Sequence, residues 1–216
     1  MKRLAFALIL IASVPALAQQ QNYIFVFLNR KPDVEKLPKE QIDKIMAGHL
    51  ANIERLAKEK KLIVAGPFDG GGGIFILNTT SAEEAKGWLS TDPGIQANRW
   101  NIEMLPYKPR VGGACSAPEP YEMVSYSFIR FDAVVSKFTA STYPQIVKKH
   151  NEYLKQLEAT GNVITEGIFG EHDGGILIMK GEVQRDIFES DPGVQEGLME
   201  LSIRKLWIAK GSFCEK

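Results

Sequence analysis

AGHLANIERLAKEKKLIVAGPF, residues 47–68, followed by STDPGIQ at 90–96, decides how this chain folds, because it occurs twice. The second version is KKHNEYLKQLEATGNVITEGIF, residues 148–169, followed by ESDPGVQ at 189–195. His49 precedes Gly66 by 17 positions, and His150 precedes Gly167 by the same 17. Asp92 follows His49 by 43 positions and Asp191 follows His150 by 41. A helix-borne His, a Gly-closed strand and a distant Asp-Pro-Gly have kept their order through an internal duplication.

Around the first version the periodicities are simple. NYIFVFLNR (22–30) is a continuous β-branched and aromatic run, hence a well-buried strand. From Lys39 to about Glu59 the apolar positions Ile42, Ile45, Met46, Leu50, Ile53, Leu56 and Ala57 recur at three and four, which defines one helix face. KLIVAGPF (61–68) and GGIFILNTT (72–80) read as a hairpin. Ser81 with Glu84 forms a capping box for a second helix, which ends at Asp92-Pro93 because the residue before Pro avoids helical dihedrals. NIEMLPY (101–107) closes the unit. The second half repeats the order with EMVSYSFIR (122–130), a helix around Tyr143–Ala159, NVITEGIF, GGILIMK (174–180), a helix over 183–190 and LSIRKLWIA (201–209).

Strand, helix, strand, strand, helix, strand is the ferredoxin-like unit. The expected class is therefore α+β, with two tandem βαββαβ units. Each has helices on one sheet face only, so the bare faces pack against one another as an intrachain pseudo-dimeric α/β barrel. Homodimerisation beyond this is possible but is not needed to bury the cores. The boundaries read as a signal peptide at 1–18, units at 22–109 and 121–211, a linker at 110–120 and a tail at 212–216.

The order of His49, Gly66-Pro67, the Gly-rich hairpin and Asp92-Pro93 resembles the YCII family of the dimeric α/β-barrel group. The second half matches through His150, Gly167 and Asp191-Pro192, with Ile168 in place of the Pro. The resemblance implies a ferredoxin-like fold, paired subunits and a His/Asp site in a cleft beside the sheet. Similar barrels include muconolactone-type isomerases, and the family includes a dehydrochlorinating branch.

The N-terminus carries an export pattern. Lys2 and Arg3 precede the apolar stretch LAFALILIA (4–12), too short to span a bilayer, and Ala16-Leu17-Ala18 supplies a cleavage site after Ala18. The mature chain is expected to be periplasmic or secreted, with no membrane association after cleavage. Of the 26 Lys and Arg, two leave with the signal, so 24 face 26 Asp and Glu. Such a balance lacks the basic excess of a nucleic-acid footprint. In an oxidising compartment the two cysteines, Cys115 and Cys214, are expected to form a disulfide, two free thiols being the alternative.

His49 and His150 both fall within the apolar series of their helices. A neutral imidazole near pH 7 can take a proton from an activated carbon or hydroxyl and return it elsewhere, and a neighbouring Asp fixes its tautomer. The catalytic candidates are thus His49 with Asp92 and His150 with Asp191. They suit a cofactor-independent isomerase or lyase acting on a small organic substrate. A non-catalytic module that binds a small ligand or a partner in the same clefts is the alternative reading. A satisfied core histidine and a helix-terminating Asp would explain the same residues without chemistry. Arg30 and Arg130, at the ends of the first strands, could hold a substrate carboxylate, or be plain solvated strand ends. Gly70–Gly73 opens a strand rather than a helix, so it reads as a hairpin turn and not a phosphate cradle. His172 and Asp173 have no counterpart in the first half and are too few for a metal site. No cofactor or metal is expected. Trp88, Trp100 and Trp207 read as core or cleft lining.

Overall fold

The computed structural model describes residues 22–171 and 174–214. The expected signal peptide with its cleavage point, and His172 and Asp173, lie outside the described residues. The first half runs β1 (Tyr23–Arg30), α1 (Lys39–Lys58), β2 (Leu62–Pro67), β3 (Gly73–Leu77), α2 (Ala82–Leu89), α3 (Pro93–Gln96) and β4 (Trp100–Val111). The second runs β5 (Met123–Ala133), α4 (Tyr143–Glu158), β6 (Val163–Phe169), β7 (Gly174–Lys180), α5 (Arg185–Glu189), α6 (Pro192–Gln195) and β8 (Met199–Ala209). The architecture is α+β, two ferredoxin-like units in tandem.

All eight strands belong to one sheet, ordered β2-β3-β1-β4-β6-β7-β5-β8. The halves therefore join edge to edge as well as face to face. β4 pairs antiparallel with β6, placing Tyr107 opposite Phe169. The other end of the sheet curls round so that Phe68, just beyond β2, bridges Leu206 of β8. These are the same contact made twice. Gly170 N–H donates to the Pro106 carbonyl at one seam, and Asp69 N–H to the Lys205 carbonyl at the other, each at 3.0 Å.

The alternation of β1 explains why its whole length is apolar. Phe25 and Phe27 point into the barrel, where they pack with Tyr107, Phe128 and Phe169. Ile24, Val26 and Leu28 point the other way, onto Leu56, Ala85 and Leu89 of the helices. A strand covered on both faces shows no polar alternation. The second half has its own helix-side core around Ile129, Phe131, Leu154, Leu177 and Phe188. Fully burying each large side chain stabilises by about 1.5–3 kcal/mol, and the aromatic barrel interior belongs to both halves at once.

Gly66 and Gly167 sit where the neighbouring half crosses. A Cβ on Gly66 would lie 2.9 Å from the Trp207 carbonyl oxygen, and one on Gly167 2.8 Å from that of Lys108. Only a residue without a side chain admits the seam.

Several elements differ from the sequence reading. β4 continues to Val111 rather than stopping at 107, because its last residues pair with β6 despite Pro106 and Pro109. The register shifts between Pro109 and Val111, so the ladder accommodates a residue that cannot donate. β5 runs on to Ala133, which leaves Arg130 inside the strand instead of at its end. The capping box is half formed: Ser81 Oγ accepts from Glu84 N–H, while the Glu84 carboxylate takes the Thr79 hydroxyl. Helix α5 is shorter than 183–190, and the turns after each Asp-Pro are the one-turn helices α3 and α6. Trp88 and Trp100 pack on the helix-side core, but Trp207 is exposed on the outer face. Among the described residues no helix is long and apolar enough to cross a membrane.

Candidate functional site

Helix α1 reaches close enough to α3 for a Cβ on Gly48 to fall 2.9 Å from the Pro93 ring. This approach sets the neighbouring His49 against Asp92, with Nδ1 2.8 Å from Oδ2. The other oxygen, Oδ1, accepts from the N–H groups of Gly94 and Ile95 at 2.8 and 3.1 Å and so caps α3. The second half repeats the arrangement. His150 Nδ1 is 2.7 Å from Asp191 Oδ2, and Asp191 Oδ1 accepts from Gly193 and Val194. Both carboxylates are fully buried and both imidazoles nearly so.

Each Asp thus serves as helix cap and as histidine partner at once. An aspartate carboxylate only accepts, so Nδ1 of each ring carries the hydrogen, and in the neutral ring the lone pair is then on Nε2. Burial raises the Asp92 pKa, but the hydrogen bond and charge of His49, with the Ile95 N–H and the Asn52 amide, outweigh it. Asp92 is held below the usual aspartate value.

The surroundings of the two pairs differ. Asn52 Nδ2 donates to Asp92 Oδ2 at 3.1 Å, and its own oxygen accepts from Arg55 and Thr91. Tyr153 occupies that place in α4 and donates its hydroxyl to the Ile187 carbonyl instead. Trp100 lies 4.8 Å from the His49 ring, while Met199 holds the equivalent register position beside His150. The first pair is tied into a polar network between helices; the second adjoins a cavity.

That cavity has a volume of about 240 Å³. Its apolar wall includes Phe131, Leu154, Ile168 and Met199, and His150 forms part of its polar wall with Asn151, Arg110 and Glu166. Arg110 comes from β4, in the first half of the chain. Its Nε donates to Glu166 Oε2 at 2.9 Å and its Nη2 to Oε1 at 2.6 Å, while Nη1 donates to Asn151 at 2.8 Å. Glu166 is only 2% exposed, so its carboxylate is held away from water while the Arg110 side chain stays partly exposed.

The two arginines expected at strand ends part company. Arg30 is exposed and donates to the Gly70 carbonyl at 3.3 Å. Arg130 is aligned with Phe27, not with Arg30, and its guanidinium lies 4.1 Å from the centre of the Phe27 ring. It binds Glu103 through two nitrogens at 2.7 Å each and also pairs with Asp132. Arg130 is therefore committed to joining the halves, and neither it nor Arg30 is among the residues of the His150 cavity. Arg130 holds Glu103 below the usual glutamate range; for Asp132, burial together with the Glu103 charge outweighs Arg130 and pushes the carboxyl up.

Arg110, Asn151 and Glu166 were not singled out from the sequence. Glu166 had a readable signal, a charge within the otherwise buried run NVITEGIF where the first half has Ala65. Among the described residues no three His, Cys, Asp or Glu side chains converge as a metal-ligand group.

The fold and the twin His/Asp pairs define a pseudo-dimeric α/β barrel with both halves on one chain. Residues 23–106 match the family model of the YCII-related domain. No curated protein sequence matches the chain. A solved structure described as a novel heme-binding protein from Thermus thermophilus is similar at 12% identity and a TM-score of 0.48, covering 88% of this chain and 92% of that one.

Proposed function

We propose that the chain is a cofactor-independent acid/base enzyme of isomerase or lyase type, with His150 as the proton carrier and Asp191 as its positioning partner. The observation that carries this reading is the placement of His150, its Nδ1 on a buried carboxylate and its ring in the wall of the cavity. Nε2 takes a proton from a carbon next to an electron-withdrawing group. The imidazolium so formed is stabilised by Asp191, and the proton returns at another atom or a leaving group departs. At about 240 Å³ the cavity is smaller than the ~300–1,000 Å³ of drug-sized ligand sites, so the substrate is small. His49 and Asp92 have the same geometry, but the Asn52 network and Trp100 suit a structural role.

A binding module without turnover is the second reading. It is favoured by the double duty of Asp191, whose cap alone accounts for a buried carboxylate. The two are separated by incubating a panel of small ketones, esters and lactones with the protein in D₂O and following deuterium incorporation by NMR. The enzyme reading expects incorporation that His150→Gln abolishes and His49→Gln leaves. Incorporation indifferent to His150, or none above background, favours the module. The same proposal has the mature chain exported, and the Cys115–Cys214 disulfide fits an oxidising compartment.

A further inference from the structure

Strand register aligns the halves residue by residue and shows where they diverged around the cavity. Glu166 corresponds to Ala65, since each lies opposite the matching residue of the next strand, Leu177 and Phe75. Arg110 corresponds to Ala209, counted along β4 and β8 from the equivalent pairs Tyr23–Tyr107 and Tyr126–Leu206. Asn151 and Leu50 each follow their histidine directly. The positions around His49 (Leu50, Ala65 and, from the other half, Ala209) are apolar where those around His150 form a connected polar trio.

We propose that Arg110 is the substrate-anchoring residue of the His150 site, that it takes the carbonyl oxygen of a small neutral carbonyl compound, and that the His49 cleft lacks this anchor. The site is then composite, because the anchor and the proton carrier come from different halves. This deepens the proposed role of His150 and rests on it.

A guanidinium offers five N–H groups in a fixed fork. Glu166 and Asn151 account for three of those on Arg110, and no further partner is found for the other two among the described residues. The Arg110 side chain is 31% exposed and is part of the cavity wall. Held by two partners, it needs no reordering when a substrate arrives. The Glu166 carboxylate cancels its charge, and Glu171 also adjoins the cavity. That balance disfavours a carboxylate ligand and suits a neutral acceptor. A carbonyl oxygen accepting from Arg110 makes the adjacent C–H more acidic. His150 then removes that proton, leaving the negative charge on the oxygen that faces the guanidinium.

The test uses the full mature chain, ¹⁵N-labelled at histidine and arginine, titrated with cyclopentanone and separately with cyclopentanecarboxylate. Cyclopentanone is expected to shift His150 Nε2 and the Arg110 side-chain resonance but not His49, and to bind more tightly than the carboxylate. Replacing the trio by the other half's residues, Arg110→Ala with Glu166→Ala and Asn151→Leu, is expected to weaken ketone binding about tenfold or more. Arg110→Lys keeps the charge but loses the spare fork, and is expected to do likewise even if the triple variant folds poorly. Unchanged affinity in Arg110→Lys, tighter binding of the carboxylate, or absence of ketone binding overturns the anchor. His150→Gln separates the two ideas: Arg110-dependent ketone binding with His150-independent α-deuteration would sink the acid/base proposal and leave the anchor standing.

Discussion

Asp191 divides its carboxylate between two tasks, with one oxygen 2.7 Å from His150 Nδ1 and the other accepting from the first N–H groups of α6. Cap and site are therefore one structure, and the 41 positions between the two residues are spanned by β6, β7 and α5. The one-turn helix cannot form in place without aiming the carboxylate at the imidazole.

Replacing Asp191 should separate the tasks. In Asp191→Asn the amide oxygen can still cap α6, but the NH₂ group donates to Nδ1 and forces the hydrogen onto Nε2. Stability is expected to fall by about 1–2 kcal/mol and His150-dependent turnover to vanish. Asp191→Ala loses cap and partner together, at about 2–4 kcal/mol. Urea midpoints read the difference, and an Asn variant with full turnover would contradict the assignment.

Acid stability should carry the signature of Asp92. Its folded-state pKa lies below the usual 3.8, so its contribution is fully present above that value and is lost as pH falls through the lower folded one. Stability measured between about pH 5 and pH 2 should fall more steeply in the wild type than in Asp92→Asn. Equal slopes would mean that His49 does not stabilise the charged carboxylate.

Much of this was legible in the chain because the duplication doubled every signal. His49, Gly66 and Asp92 each had an echo, and the sheet faces left bare by one-sided helices demanded a cover. The seam was harder to read. The closing strand read as ending at Tyr107, yet a register shift absorbs Pro109, and the strand extension brings Arg110 to the cavity. Arg130 misled because a strand's end cannot be fixed from its apolar run. Three further residues of β5, Phe131, Asp132 and Ala133, turned an apparent strand-end charge into an interior one. Arg110 and Glu166 are 56 positions apart with nothing local linking them, so only the crossing of β4 onto β6 makes them a pair.

Arg130 and Glu103 should couple the halves energetically. Arg130→Met leaves Glu103 and Asp132 without their shared cation and is expected to cost about 2–3 kcal/mol, somewhat below a deeply buried pair because Glu103 is partly exposed. A double-mutant cycle with Glu103→Gln should give a coupling of about 1–3 kcal/mol. A coupling near zero would make the pair incidental to joining the halves.

The Cys115–Cys214 bridge closes 99 positions and ties the segment after β4 to the segment after β8. Replacing both by Ser is expected to remove up to about 4–5 kcal/mol in the chain-entropy account, read as a lower urea midpoint. N-terminal sequencing of protein from an exporting host should begin at Gln19. A mature chain that still starts at Met1 would remove the export proposal.

The central claim is that His150 offers a free Nε2 to the cavity while Asp191 holds Nδ1. The most direct measurement is a ¹⁵N-histidine spectrum of the full mature chain near neutral pH, assigned by His150→Gln. The account expects a protonated Nδ1 and an unprotonated Nε2 whose resonance moves when cyclopentanone is added. A hydrogen on Nε2, or an Nε2 resonance indifferent to every small carbonyl compound tried, would contradict it.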